Sequence, residues 1–513
     1  MDRTTATRAL IGAALIGVVA QAWIFRTAPG INVVLLTVAV LAIGLVIAGF
    51  AGRANRFDRL DAWLPVGAIV VAGMVGLRSD QTVVFLDAVT GATLLAASMA
   101  ALGGAAATRR SALAITVLGS VVLGWICVGI LRLSIAARRP ADAPGWRSRL
   151  PASTAPIARG LLIALPVLLV FVALFASADA IFATLAGNLF AWQVDLGELP
   201  IRVALAFLVA WPVAGLLAVG VGAAGLDRRT AAPIPQSLGA AAADPMPLFS
   251  GLGVTEAVTI LVAVDALFAL FVILQVAYLF GGLDTMAAGG ITYANYARGG
   301  FFQLVAVTVL AAGLVVCLHA VVERRTRAFV GSAVGLAVLN VIVLASAALR
   351  LALYQQAYGW TELRFYIDAT IAWLGIGIVA ATVLLVRNRM RWLAHAMTIA
   401  AVVLLVVVNL IGPLRLVANE NVARLLDPSR VPPDGRRGLD VEYMLTLTDD
   451  AVPALVAALP ALAGDEQATV LSWLKDRRVE LGRPETTAWP AWNLARDEAR
   501  RALEALGRRL GGE

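Results

Sequence analysis

The chain has 513 residues, of which 60% are apolar and 14% are charged, and its formal net charge is +8. Soluble domains are about half apolar and about a quarter charged, so this composition excludes an ordinary soluble protein. The arginines cluster between apolar blocks, which is typical of membrane-protein loops rather than of a nucleic-acid-binding surface. We therefore expect the lipid bilayer as a partner and no nucleic acid.

Apolar blocks follow one another along most of the chain, with lengths close to the roughly 20 residues that a helix needs to cross the hydrocarbon core. In hydrocarbon each block must satisfy its own backbone hydrogen bonds, so each is predicted to be a helix. The sequence thus predicts an all-α polytopic transmembrane bundle of eleven to thirteen spans, with twelve as the best count. The blocks lie at 9–25, 31–50, 63–77, 83–106, 111–131, 160–185, 201–224, 255–280, 301–321, 329–349, 366–386 and 393–411.

The arginine content of the loops alternates from residue 132 onward, which predicts that the arginine-rich loops are cytoplasmic. The chain then divides into amino-terminal transmembrane helices (1–131), a basic cytoplasmic loop (132–159), a core of about seven helices (160–411) and a helical tail (412–513). The last span leaves the tail outside the plasma (inner) membrane of a bacterium. Arg3 and Arg8 favour a cytoplasmic amino terminus, but five spans from there would place 132–159 outside. Either one early block does not span or is split, or the amino terminus is outside.

The tail has the composition of short soluble helices. Asp449 and Asp450 open one helix and Pro453 fits its first turn, while further helices are predicted at 466–480 and 491–510. The last of these is amphipathic, so the tail is a candidate docking surface for a protein partner.

Most enzyme signatures are excluded by the scarcity of their residues. Two histidines cannot form an HExxH zinc site, and a lone lysine outside any glycine-rich loop excludes a Walker A phosphate site. Cys127 and Cys317 lie inside apolar blocks and are expected to be buried free thiols. We therefore predict no catalytic residue, metal or cofactor, and an enzyme is disfavoured.

Polar residues inside the apolar blocks are the informative ones, because a carboxylate in the bilayer centre costs at least about 2.5 kcal/mol. The candidate intramembrane site consists of Asp265, Glu256, Gln275 and Tyr278 in block 255–280, with Asp179 at the end of block 160–185. Asp265 and Glu256 are nine residues apart and lie on opposite helix faces. Asp265 is therefore read either as part of a proton or cation relay with another helix, or as half of a buried ion pair.

The remaining polar residues of the blocks have plainer structural interpretations. The ion-pair partners considered for the 255–280 carboxylates are Arg202, Arg298 and Arg350. Asp87 and Asp368 are expected at the membrane interface, and Asn340 and Asn409 are expected to form interhelical hydrogen bonds. The spacing of Gly331 and Gly335 permits close helix packing, as is common in membrane helices.

Several stretches are similar to one bacterial membrane-protein family. They include YANYARGGFFQL at 293–304, LYQQAYGWTELRFY at 353–366 and YMLTLTDDAVPAL at 443–455, with further stretches at 159–167, 175–182, 255–257, 265–271 and 275–282. These segments resemble the domain of unknown function 4173 and the related 4153 group over roughly 159–510. The resemblance implies no reaction, ligand or cofactor. It implies that the 293–304 and 354–366 segments are more than generic loops.

Both segments are predicted on the outer side, where the tail could cover them. Their polar residues form the candidate outer-face motif, made of Tyr293, Tyr296, Arg298, Tyr358, Glu362 and Arg364. The leading hypothesis is a non-enzymatic, transporter-like or sensory bundle whose outer loops and tail form one assembly. The alternatives are an enzyme acting on lipid or envelope precursors, using Asp179 with Arg298, Glu362 and Arg364, and a scaffold that docks a partner through its tail.

Overall fold

The computed structural model of the protein describes residues 2–50, 61–105, 112–138, 198–223, 254–280, 301–322, 326–433, 435–462 and 464–510. This part of the chain is 86% helical and contains no strand. The helices before the tail are α1 (Arg3–Ile24), α2 (Ile31–Phe50), α3 (Trp63–Met74), α4 (Gln81–Leu102), α5 (Ala112–Ala137), α6 (Leu199–Gly220), α7 (Val254–Phe280), α8 (Phe301–Val321), α9 (Arg327–Tyr358), α10 (Glu362–Val386) and α11 (Leu393–Ile411). The tail contributes α12 (Pro413–Leu426), α13 (Val441–Thr446), α14 (Val452–Ala458), α15 (Gly464–Leu481), α16 (Pro484–Thr487) and α17 (Leu494–Leu510).

The helical membrane architecture predicted from the sequence is confirmed. Eleven of the predicted blocks coincide with α1 to α11, and the block at 160–185 lies outside the described residues. Nine of the described helices are long and apolar enough to cross a membrane, and shorter apolar helices lie at Trp63–Met74 and Leu304–His319.

The membrane helices pack into two groups joined by a seam. In the first group α6 packs against α1, α5 and α4, around a core that includes Ile16, Leu133 and Leu217. In the second group α7, α8 and α10 pack around α9. The seam is made by α3, α4 and α11. The predicted core helix α6 therefore belongs with the amino-terminal helices in the packing.

Helix α3 is short, yet it extends between the same two ends of the bundle as α11. At one end the rings of Trp63 and His395 lie 5.9 Å apart. At the other end Arg78 Nε, just after α3, donates a hydrogen bond of 2.6 Å to the Asn409 carbonyl oxygen. The stretch of α11 between these contacts is about 21 Å long at 1.5 Å per residue. Together, α3 and the turn that follows it extend over the same distance along the bundle.

The tail folds into a helical cap on one end of the bundle. Its own core, which includes Val417, Met444 and Leu455, is continuous with Val83 of α4 and Phe365 of α10. The cap also contacts the end of α1 and the start of α2, since the Ala28 amide donates to Glu485 and the Ile31 amide donates to Trp492. The segments that meet the cap are the ends of α1, α3, α9 and α11 and the starts of α2, α4 and α10.

Two glycines with left-handed backbone allow the chain to turn beneath this cap. Gly412 has φ +72° between α11 and α12, and a Cβ there would lie 2.6 Å from the Arg78 guanidinium carbon. Gly359 has φ +86° after α9, and a Cβ there would lie 2.8 Å from Asn421 Oδ1. Both positions thus combine a conformation that favours glycine with a close approach of a polar side chain.

Two close helix approaches use glycines that the sequence analysis did not single out. A Cβ on Gly215 of α6 would lie 2.4 Å from the Trp125 carbonyl oxygen, and one on Gly17 of α1 would lie 2.3 Å from the Ala206 carbonyl oxygen. Of the two glycines whose spacing permits close packing, Gly335 lies against Asp265 of α7, whereas a Cβ added to Gly331 meets no heavy atom within 4 Å among the described residues. A small residue in a membrane helix can simply face lipid.

The two cysteines are free, as predicted, but both are exposed on helix surfaces. The expectation of burial was wrong because apolar side chains of a membrane protein can face hydrocarbon instead of a protein core.

Candidate functional site

The interface between cap and bundle is centred on a buried arginine. The Arg78 guanidinium donates to the carbonyl oxygens of Asn409 and Leu410 at 2.6 and 2.9 Å and pairs with Asp450 at 3.4 Å. Ser79 adds its amide and hydroxyl, which donate to Asp450 Oδ2 at 2.9 and 2.8 Å. Arg78 and Asp450 are only 5% and 2% exposed, so the ion pair is shielded from water. Burial raises the pKa of Asp450 despite the nearby guanidinium.

A second polar group joins the starts of α4 and α10. Asp80 Oδ1 caps α4 by accepting from the Thr82 and Val83 amides, and its Oδ2 accepts from the Tyr366 hydroxyl at 2.8 Å. The Thr82 hydroxyl donates in turn to Glu362 at 2.7 Å. Burial raises the pKa of Asp80. The hydrogen bonds of Asp80 therefore fix the relative position of two membrane helices.

A third contact fixes the connection between α9 and α10. Arg424 of α12 donates to the Gln355 and Gln356 carbonyl oxygens at 2.6 and 2.7 Å. Asn421 exchanges two hydrogen bonds of 2.9 Å with the backbone of Trp360. The cap therefore binds the backbone of the 354–366 segment, which the sequence analysis expected the tail to cover.

Below the cap, a carboxylate and an amide form a pair inside the bundle. Asp87 of α4 and Asn409 of α11 are both 0% exposed, and Asn409 Nδ2 donates to Asp87 Oδ1 at 2.9 Å. Asn409 Nδ2 also donates to the Leu405 carbonyl oxygen of its own helix. Asp87 Oδ2 and Asn409 Oδ1 are buried acceptors without a hydrogen-bond partner among the described residues. Two orphaned acceptors in one pair match a missing proton or cation.

The interfacial depth expected for Asp87 stays a prediction, and the structure adds that its side chain is buried against Asn409, two residues before the end of α11. Asp80 and Asp87 are seven residues apart, so they lie on one face of α4 and point along the same side of the helix. That spacing was readable in the sequence. What it could not supply was Asn409, which is 322 residues away and is brought to Asp87 only by the packing of α11 on α4.

The carboxylates proposed for α7 do not form one site. Asp265 faces α9, where a Cβ on Gly335 would lie 3.4 Å from Asp265 Oδ2, and Asp265 Oδ1 is buried without a partner in the described part of the chain. Glu256 is exposed on the surface of the same helix. The side chains of Gln275 and Tyr278, like Asp179, lie outside the described residues.

Two of the ion-pair partners considered for Asp265 are elsewhere. Arg202 pairs with Glu198 at 2.9 Å and donates to Gln21. Arg350 is fifteen residues beyond Gly335 along α9, which corresponds to about 22 Å. The third candidate, Arg298, lies outside the described residues, as do Tyr293 and Tyr296 of the outer-face motif.

The described residues of the outer-face motif take part in packing. Glu362 accepts from Thr82, and its amide donates to the Tyr443 hydroxyl of the cap at 2.8 Å. Arg364 donates to the Gly359 carbonyl oxygen and covers the Tyr354 ring at 4.1 Å. Tyr358 stacks edge-on against Tyr354 at 5.0 Å. These contacts hold the 354–366 segment in place.

Asn340 and Asn409 form the interhelical hydrogen bonds expected of them, since Asn340 Nδ2 donates to the Thr308 carbonyl oxygen of α8 at 3.2 Å and Asn409 contacts α4. Among the described residues, His, Cys, Asp and Glu side chains form no group of three that could hold a metal ion.

The comparisons with known proteins give a family without an assigned activity. No curated protein and no solved structure is significantly similar to the chain. A family model described as a domain of unknown function (DUF4153) matches residues 65–458, which is more than half of the chain. The match begins well before residue 159, where the sequence resemblance was expected to start, and it includes α4 with Asp80 and Asp87. The chain therefore belongs to the DUF4153 family, the second of the two related groups that its motifs resemble.

Proposed function

We propose that this protein is a non-enzymatic, transporter-like membrane protein that takes up a proton at the Asp87–Asn409 pair beneath the outer cap. The single observation that carries the proposal is the burial of this pair, in which both residues are fully inaccessible and each retains one orphaned acceptor oxygen. A proton on Asp87 Oδ2 would neutralise the carboxylate and supply the donor that this side of the pair lacks.

The surroundings of the pair favour a route from the cap end. The Arg78 guanidinium donates to the carbonyl oxygen of Asn409 itself, so the pair is linked to the Arg78–Asp450 ion pair through one residue. Asp80 lies two helical turns from Asp87, or about 10 Å, on the cap side. Titratable groups thus follow one another from the cap into the bundle, as in the proton relays of membrane proteins.

The arginine distribution supports a cap on the outer side of the plasma (inner) membrane of a bacterium. Helices α2, α8 and α10 end opposite the cap, and the sequence segments that follow them contain three arginines in 51–60, two in 322–326 and three in 387–392. The short loops at the cap end contain one arginine in 25–30, one in 75–80 and none in 359–361. Short cytoplasmic loops carry the excess of positive residues, so the cap end is assigned to the outside.

The alternatives receive less support from the contacts. Of the residues considered for an enzyme site, the structure describes Glu362 and Arg364, and both take part in helix packing. The tail is docked on its own bundle through Arg424 and Asp450, which argues against a free arm that captures a partner. A protein partner on the outer surface of the tail stays a prediction.

The experiment is proton movement into proteoliposomes that contain the full chain and a pH-sensitive dye, under an imposed membrane potential. We expect Asp87→Asn to lower the initial rate at least tenfold and Asn409→Leu to lower it less, because the carboxyl group remains. Asp497→Asn, which removes a carboxylate of an i,i+4 ion pair on α17, is the matched control and should retain the wild-type rate. A wild-type rate equal to that of protein-free vesicles, or an unchanged rate in Asp87→Asn, would overturn the proposal.

The same assay separates Asp87 from the residue favoured by the sequence. Asp265→Asn removes the other described intramembrane carboxylate with a buried orphaned oxygen. If Asp265→Asn abolishes proton movement and Asp87→Asn does not, the proton site is at the α7–α9 contact and the present assignment is wrong.

A further inference from the structure

Two tryptophans of the cap are exposed beside the end of a membrane helix. Trp489 is 62% exposed and Trp492 is 42% exposed, and both belong to the short turn between α16 and α17. The ring of Trp489 meets the ring of Trp23 edge-on, with 6.1 Å between the ring centres. Trp23 is the last residue but one of α1, which is long and apolar enough to cross a membrane. The Trp489 ring therefore lies at the level where α1 ends.

The turn that carries the two tryptophans is fixed to the bundle through its backbone. The Ile31 amide, at the start of α2, donates to the Trp492 carbonyl oxygen at 3.2 Å. Gly30 leaves room for this contact, because a Cβ there would lie 2.4 Å from the same oxygen. Pro490 and Ala491, between the two tryptophans, are buried. The two rings are thus exposed although the backbone between them is packed.

The bundle surface next to this turn is apolar. α1 exposes Ile11, Leu15 and Val18 along its length, and Ile24, directly after Trp23, is 37% exposed. Large apolar side chains on the outside of a spanning helix face lipid. The 22 residues of α1 extend about 33 Å, close to the roughly 30 Å of the hydrocarbon core. Trp23 and Ile24 are therefore placed at the boundary between hydrocarbon and head groups.

We propose that the turn at 489–492 inserts its two tryptophan rings into the head-group region of the bilayer on the cap side. An indole ring has an apolar body and one N–H donor, which suits a boundary that is hydrocarbon on one side and wet on the other. The lipid surface is the partner because the exposed rings adjoin the lipid-facing end of α1. This contact is independent of the proton site at Asp87.

The lipid contact acts on the segment beside the central arginine of the cap interface. Asn493, which follows Trp492, donates to the carbonyl oxygens of Val75 and Arg78 at 2.9 and 2.8 Å. The turn is therefore joined through one residue to the end of α3, in addition to its contact with the start of α2. By holding the turn, the bilayer surface helps to keep the cap docked on the bundle.

The test is lipid labelling of the full chain, with one copy in each nanodisc of phosphatidylethanolamine and phosphatidylglycerol. A phospholipid with a diazirine close to its head group supplies the label, and peptide mass spectrometry identifies the labelled residues. We expect labelling of 484–493 and of 19–25, where the end of α1 is the internal reference for the same leaflet. Labelling of 19–25 without labelling of 484–493 would overturn the proposal.

Nanodiscs that hold two chains test the competing occupant of the rings, a second copy of the protein. We expect the lipid labelling of 484–493 to be the same as in nanodiscs with one chain. A cross-link from 484–493 to the second copy, together with loss of lipid labelling there, would show that the turn is a protein contact and would overturn the proposal.

Variants of the two tryptophans test the role of the rings. The double variant Trp489→Ser with Trp492→Ser should reduce labelling of 484–493 at least fivefold and leave labelling of 19–25 unchanged. Trp489→Tyr with Trp492→Tyr keeps amphipathic rings and should retain at least half of the labelling. Val479→Ser is the matched control, because it removes another exposed apolar side chain of the cap, 68% exposed on α15, and it should change neither region. Unchanged labelling of 484–493 in the double serine variant would contradict insertion of the rings.

Discussion

Buried polar groups have hydrogen-bond partners at the cap interface, whereas several in the interior of the membrane bundle keep an atom without one in the described part of the chain. In the cap interface Asp450, Arg424 and Asp80 each have several short hydrogen bonds to the bundle or within it. In the interior Asp87, Asp265, Asn340, Trp373 and Asn409 each retain a buried polar atom without a partner in the described part of the chain. Within the described tail, Nε of Arg496 is the one side-chain atom in that state.

The difference separates structure from function. A saturated buried network costs little to keep and fixes one arrangement, whereas an orphaned polar atom in a low-dielectric interior costs about 1–3 kcal/mol. Such a cost is expected where a proton or a ligand supplies the missing partner. The contacts of the cap therefore hold the helices in position, and the orphaned atoms of the interior are the basis of the proposed proton site.

The largest effect is expected when the charge at the centre of the cap interface is removed. Arg78→Met leaves Asp450 buried without its counter-ion and frees two carbonyl oxygens of α11. Losing one partner of a buried pair costs about 3–5 kcal/mol. We expect the cap to detach in a large fraction of molecules, seen as fast hydrogen exchange over 441–510. Wild-type protection in this variant would mean that the cap is held by its apolar core alone.

A close helix approach in the interior should cost somewhat less. Gly215→Ala places a Cβ 2.4 Å from a carbonyl oxygen of α5, so the two backbones must separate at a cost of about 1–3 kcal/mol. Gly313→Ala, on α8, is the control, since its Cβ meets no heavy atom within 4 Å among the described residues. Thermal unfolding in detergent should show a lower midpoint for Gly215→Ala only, and equal midpoints would contradict the packing of α6 on α5.

A change of pH should alter the docking of the cap less than Arg78→Met does. Asp450 and Asp80 have pKa values raised above the ordinary 3.8 by burial, so the docked cap binds protons more tightly than an undocked one. This contribution to docking is complete below about pH 4 and is lost as the pH rises through the raised values. Hydrogen exchange of the cap should therefore become faster, after correction for intrinsic rates, as the pH increases from 4 towards neutral. Asp450→Asn should make the exchange rate of the cap less dependent on pH. A corrected rate that falls as the pH increases would contradict this prediction.

The smallest effect is expected at the exposed edge of the cap. Arg415 pairs with Glu498 at 3.1 Å, but their side chains are 45% and 32% exposed. Pairs of this kind contribute about 0–1 kcal/mol. Arg415→Met should leave hydrogen exchange of the cap nearly unchanged and so serves as the matched control for Arg78→Met. A loss of protection similar to that of Arg78→Met would mean that surface charge, and not the buried pair, secures the cap.

Much of the fold could be predicted from the sequence, because a membrane helix is encoded locally by about 20 apolar residues. The tail helices around Pro453 and the docking of the 354–366 segment were also foreseeable. The site was not. Asp87 looks interfacial because it is six residues from the start of α4, and only the packing of α11 shows that Asn409 covers it. Asp265 was chosen because it is central in its apolar block. That position predicts its depth in the bilayer but not the residues that contact it.

The orphaned oxygen of Asn340 had no sequence signal of its own. Asn340 reads as a residue for interhelical hydrogen bonding, and it does bond Thr308 with its Nδ2. Its Oδ1 is a buried acceptor without a partner among the described residues. Pairwise relations of this kind between distant segments are fixed by packing and are not written in composition or periodicity.

Infrared difference spectroscopy of the reconstituted protein tests the central claim most directly, because it detects the protonated form of a single buried carboxyl group. We expect a pH-dependent carboxylic-acid band in the wild type and in Asp265→Asn, and the loss of that band in Asp87→Asn. A band that persists unchanged in Asp87→Asn would contradict the account, since the orphaned oxygens of the Asp87–Asn409 pair would then mark no proton site.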